Sequence, residues 1–105
     1  MTDLTMHDMT APLRALRLLT ADHPDLPALA VRMTTVYPDR LELDCHDDFG
    51  VYETWREALG IDPASVTYAE QSEGRTQVLS AVADYAGARL HLTGFGTIPG
   101  LGGVA

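Results

Sequence analysis

The stretch TQVLSAVADYAGARLHLTGF, residues 76–95, decides the fold, because it supports two readings with different architectures. Val78, Ala81, Val82 and Tyr85 recur at helical spacing, with Gly87 placed as a helix stop. Alternatively, Thr76 to about Asp84 is a strand, Ala86-Gly87 is a turn, and Ala88 to Phe95 is a second strand in which Leu90 and Leu92 alternate with Arg89, His91 and Thr93. The strand reading is adopted because it also accounts for the alternation beyond Gly87. The helix remains the alternative for residues 76–86.

Upstream, Ser65 to Gln71 reads as a further strand joined to residue 76 by the turn residues Ser72-Glu73-Gly74-Arg75. Before it, Asp47 or Asp48 is placed as the N-cap of a helix running to about Leu59, with Phe49, Tyr52, Trp55 and Leu59 near one face. Aromatic residues at this spacing belong to a core facing a sheet rather than to a cofactor box. Gly60 fits the helix stop, and Ile61 is expected to fold back near Trp55. Leu41 to His46 and the run Ala28 to Val36 form a hairpin about the turn residues Tyr37-Pro38-Asp39-Arg40. A first helix starts at Thr10-Ala11-Pro12 and ends at His23-Pro24. The order is αββαβββ: an α+β domain with a mostly antiparallel five-stranded sheet and two helices on one face. Residues 1–9 are expected to be a flexible leader, 10–96 the single domain and 97–105 a flexible Gly-rich tail. Met1, Met6, His7 and Met9 are soft copper(I) ligands by type, but nothing in the sequence fixes their geometry, so they are read as part of the leader.

With 105 residues, 46% of them hydrophobic and 21% charged, the chain suits one globular core. A formal charge of −8 repels phosphate backbones and anionic lipid, which argues against direct nucleic acid binding and membrane binding and favours a basic protein partner. All seven basic residues are arginine. A single cysteine, Cys45, forbids an intrachain disulfide and suits a reducing compartment, so a cytoplasmic location is expected.

Seven of the fifteen acidic residues lie between Asp39 and Glu57, in company with only Arg40 and Arg56. Strand alternation puts Leu41, Leu43 and Cys45 on the core face and Glu42, Asp44 and His46 on the other. Arg32, Thr34, Arg89, His91 and Thr93 join that second face if all strands share one phase. Asp44, His46, Asp47 and Asp48 are the candidate partner-binding residues, with Glu53 and Glu57 as flanking charges. The competing explanation is local: carboxylates at a helix start satisfy free amides and need no partner. Cys45 reads as a core thiol of raised pKa, not as a nucleophile. Gly94-Phe95-Gly96 is too short for a phosphate-binding fingerprint, and no cofactor is expected. The alternative function is a small metal-dependent or acid–base enzyme, in which Asp44, His46 and His91 would meet if the second and fifth strands were neighbours.

The segments His46-Asp47-Asp48-Phe49, Trp55-Arg56-Glu57-Ala58-Leu59-Gly60, Glu73-Gly74-Arg75-Thr76 and Asp84-Tyr85-Ala86-Gly87 resemble small uncharacterised actinobacterial proteins associated with mobile elements and regulatory clusters. The resemblance runs from about Leu13 to Gly96 and rests on caps, a helix stripe and hairpin turns. It implies an accessory or regulatory role and no catalytic residues. A homodimer through edge strands stays open beside it.

Overall fold

The computed structural model describes residues 3–71 and 73–97. Helix α1 spans Thr10–Asp22, strand β1 Ala30–Arg32, β2 Arg40–His46, helix α2 Phe49–Ala58, β3 Thr67–Gln71, β4 Thr76–Tyr85 and β5 Ala88–Thr97. The element order αββαβββ matches the sequence-based expectation. Short 3-10 turns precede α1 (Met6–Met9) and β3 (Pro63–Ser65). The first of these falls within the expected leader, where the Thr5 N–H donates to Asp8 Oδ2 at 2.8 Å and Met9 is buried. Of the expected tail, Thr97 closes β5, and residues 98–105 lie outside the described residues.

The sheet order is β1-β2-β5-β4-β3. Three pairings are antiparallel, whereas β2 and β5 run parallel, so the sheet is mixed. Parallel neighbours need a long crossover. Here α2 and the β3–β4 hairpin supply it. Residues 76–85 form a strand despite their helical spacing, because Ala86 (φ 51°) and Gly87 (φ 85°) build a two-residue loop whose twist suits a hairpin.

One expected strand contracts. The run from Ala28 to Val36 pairs with β2 only over Ala30–Arg32. Before it, the Pro27 carbonyl accepts the Trp55 indole N–H at 2.8 Å, and Leu26 and Leu29 pack against the core. After it, the Thr34 hydroxyl accepts the Tyr37 N–H at 3.4 Å, a local bond that competes with ladder pairing. Thr34 therefore leaves the sheet face expected for it. The turn closes as expected, with the Arg40 N–H donating to Tyr37 O at 3.0 Å.

Both helices pack on one face of the sheet. Leu41, Leu43, Cys45, Leu90 and Leu92 meet Ala15, Leu19, Tyr52, Trp55 and Ile61 in a single core. At the C-terminus of α2, Ile61 N–H bonds Arg56 O and Gly60 N–H bonds Glu57 O, both at 3.0 Å, which turns Ile61 back into that core.

Helix α2 lies close to β5 because β5 presents glycine to it. A Cβ on Gly94 would sit 2.8 Å from Tyr52 Cδ2, and one on Gly96 2.7 Å from Phe49 Cζ. Tyr52 is fully buried and has nowhere to move, whereas Phe49 is half-buried and can swing outward. Gly94→Ala should therefore destabilise the protein by about 1–3 kcal/mol and Gly96→Ala by less. Urea unfolding of the two variants checks this order; equal, negligible effects would mean that the helix does not rest on these two residues.

Candidate interaction surface

The candidate residues separate into three groups according to the elements that carry them. The first lies on the sheet face away from the helices. Strand β2 lines up with β5 so that Glu42 is opposite His91, Asp44 opposite Thr93 and His46 opposite Phe95. On the other side, β1 sets Arg32 opposite Glu42 and Ala30 opposite Asp44. The Arg32 Nε–H donates to Asp44 Oδ2 at 2.8 Å, and its Nη2 donates to Glu42 Oε1 at 3.0 Å.

Asp44 is only 5% exposed, so this carboxylate is not available as an exposed docking charge. Its second oxygen, Oδ1, is buried without a hydrogen-bond partner among the described residues. A buried carboxylate with one incompletely satisfied oxygen depends strongly on its remaining cation. That cation, Arg32, escaped the sequence reading as a partner, and only its expected place on this face pointed towards the role.

The second group sits at the corner between β2 and α2. Asp47 adopts φ 57°, and its N–H donates to Phe95 O at 2.6 Å. Its Oδ1 accepts the Thr97 N–H at 3.2 Å, tying the corner to the end of β5. Asp48 is the N-cap, its Oδ1 accepting the Val51 N–H at 3.0 Å. His46 is exposed and stacks on Phe95, with ring centroids 4.9 Å apart. Asp47 and Asp48 thus hold the chain reversal together while remaining exposed.

The third group is on α2. Glu53 forms a two-oxygen pair with Arg56, Nε to Oε2 at 2.9 Å and Nη2 to Oε1 at 2.7 Å. The hydrogen bond from Arg56 holds the Glu53 carboxyl below the usual carboxylate range. Glu57 is exposed and has no ion-pair partner among the described residues.

Strands β2 and β5 are neighbours, yet Asp44, His46 and His91 do not converge. His91 is level with Glu42, and His46 is four residues further along the same pair of strands, about 13 Å at the ordinary strand rise. Among the described residues, no three of His, Cys, Asp and Glu are grouped so as to hold a metal ion. Cys45 lies in the core, where burial, followed by the neighbouring Asp44 and Asp48 charges, pushes its thiol up to about 11. Tyr52 is likewise pushed up to about 12, chiefly by burial, and its hydroxyl has no hydrogen-bond partner among the described residues.

No family model matches the chain, and no curated protein matches it. No helix among the described residues is long and apolar enough to cross a membrane.

Burial, with the nearby Arg40 guanidinium second, holds His91 below the ordinary histidine range. Folding therefore favours neutral His91. Its contribution to stability is present above about pH 6.5 and is lost as pH falls from there through the lowered value. Replacing His91 with Gln should flatten the acid side of the stability profile over that interval, as read by urea unfolding at several pH values. An unchanged slope would mean that His91 titrates alike in both states.

Proposed function

We propose that this protein is a non-enzymatic accessory or regulatory protein of the cytoplasm that acts by protein–protein contact, its acidic surface docking a basic partner. What most supports the reading is how the nearby arginines are committed. Arg32 is bonded to Glu42 and Asp44, Arg56 to Glu53, and Arg40 lies 3.7 Å from the centre of the Tyr37 ring. Asp47, Asp48 and Glu57 are exposed and have no ion-pair partner among the described residues. A chain of net charge −8 whose local cations are already engaged carries a negative field that steers a cationic surface towards it. The same field opposes phosphate backbones and anionic lipid, so the partner is taken to be a protein. A metal-dependent or acid–base enzyme built on Asp44, His46 and His91 is less well supported, because those side chains are spread along the strands.

The charges to remove in a test are those whose loss leaves the strand and helix-cap bonds of the aspartates in place and breaks only the Glu53–Arg56 pair. Glu53→Gln with Glu57→Gln deletes two exposed charges and releases Arg56, while Asp44, Asp47 and Asp48 keep their structural bonds. Affinity capture from host lysate should recover a basic protein on the native bait at low salt. About 1 M salt, where the screening length shrinks to about 3 Å, should release it, and the double variant should retain less of it. Equal recovery by both baits, or capture that ignores salt, would contradict electrostatic docking.

A further inference from the structure

Beside the acidic surface, the fold leaves an apolar hollow that its own core does not fill. One side of α1, carrying Leu16, Leu19 and Thr20, with His23 just past its end, stands apart from the connection between Pro24 and Leu29, and Trp55 and Val31 help to close the remaining walls. The hollow has a volume of about 320 Å³ and is open to solvent on one side. A second hollow shares Leu26 and is otherwise lined by Thr54, Glu57 and Ala58 of α2.

Two of the three polar side chains that line the main hollow are already bonded, and the His23 imidazole is the third. The Trp55 indole N–H is bonded to Pro27 O at 2.8 Å, and the Thr20 hydroxyl to Arg17 O at 2.7 Å. Little is left to orient a polar small molecule, whereas apolar side chains would meet Leu, Pro, Val and Trp surfaces. The margin is acidic. Exposed Asp25 lies in sequence between the lining residues Pro24 and Leu26, and Glu57 lines the second hollow, which meets the first at Leu26. No arginine lines either hollow, and Arg14 and Arg17 line a separate hollow on α1 with Thr10 and Leu13.

An apolar floor with a carboxylate margin, on a chain of net charge −8, is complementary to one kind of ligand. The geometry points to this hollow as the docking site for a basic amphipathic protein segment, its apolar residues seated between α1 and Trp55 and its Lys or Arg side chains at Asp25 and Glu57. This inference rests on the basic-partner reading above and adds to it a location and an apolar anchor. Burial of one leucine-sized side chain is worth about 10-fold or more in affinity, so the anchor should outweigh the charges at the margin.

Trp55 is the only tryptophan, so its emission reports directly on the hollow. The probe is a designed amphipathic helix of leucine and lysine, compared with one carrying serine for leucine and one carrying glutamate for lysine. The leucine–lysine helix should shift Trp55 emission and bind at least about 10-fold more tightly than either control. Ala28→Phe, made at an exposed lining residue to fill the hollow, should weaken binding by a similar factor with the circular dichroism unchanged. Asp25→Asn with Glu57→Gln should weaken it severalfold at low salt and not at high salt.

If the serine helix binds as well, or Ala28→Phe has no effect, the hollow is not the site, while salt-sensitive capture by the acidic surface still stands. If the glutamate helix binds as well as the lysine one, the hollow takes apolar segments regardless of charge, which overturns the inference, while the basic-partner reading is decided separately by the salt-sensitive capture. Sedimentation of the protein alone showing a dimer that Ala28→Phe dissociates would assign the hollow to a second copy and overturn the inference.

Discussion

At the end of β2, Asp47 reverses the chain by taking a left-handed backbone angle, bonding Phe95 O through its N–H and the Thr97 N–H through its carboxylate. Asp48 then caps the helix that the reversal has aimed back across the sheet. Aspartate suits both positions, since it tolerates left-handed geometry better than most residues and its short side chain reaches free amides. Because both bonds of Asp47 end on β5, the corner also ties together the parallel pair at the middle of the sheet. Helix α2 can settle there only because Gly94 and Gly96 leave room for Tyr52 and Phe49. Misplacing the corner would lift those two aromatic residues off β5 and open the core around Leu43 and Leu92.

Acidity is thus used twice. Asp44, Asp47 and Asp48 each accept hydrogen bonds that help to place a strand or a helix, and Asp44 does so from a buried position against Arg32. Glu53 and Glu57 contribute less to the fold by comparison, since Glu57 has no ion-pair partner among the described residues and the exposed Glu53 end of the pair with Arg56 is screened by solvent. Glu57 lines the second hollow, which meets the main one at Leu26. Carboxylate charge and apolar surface therefore adjoin on the side of the sheet that carries the two helices.

Much of the fold was legible because local signals agreed. The Asp48 cap, the aromatic face of α2, the Gly60 stop and the Ala86-Gly87 turn each act within a few residues, and each is found where the sequence puts it. Strand phase was legible too, with Leu41, Leu43 and Cys45 facing the helices. Register was not. A tight reversal over Tyr37–Arg40 would set Glu42 opposite Thr35, but a bond from Tyr37 N–H to the Thr34 hydroxyl widens the loop, and Glu42 meets Arg32 instead. That shift is what gives Asp44 its cation, so no pattern along the chain revealed that Asp44 is structural rather than an exposed docking charge. The parallel pairing of β2 with β5 was equally hidden, since alternation reads the same for either strand direction. The hollow arises from how the connection between Pro24 and Leu29 lies over Trp55, a tertiary placement with no periodic signature.

The division of the carboxylates into structural and solvent-facing sets is tested most directly by urea unfolding of Asp47→Ala and Asp48→Ala beside the Glu53→Gln, Glu57→Gln double variant. Loss of a cap or of a tied reversal should cost about 1–2 kcal/mol in each aspartate variant, while the glutamate variant should stay within about 0.5 kcal/mol of the native protein. Aspartate variants as stable as the native protein, or a glutamate variant that loses as much as they do, would contradict it.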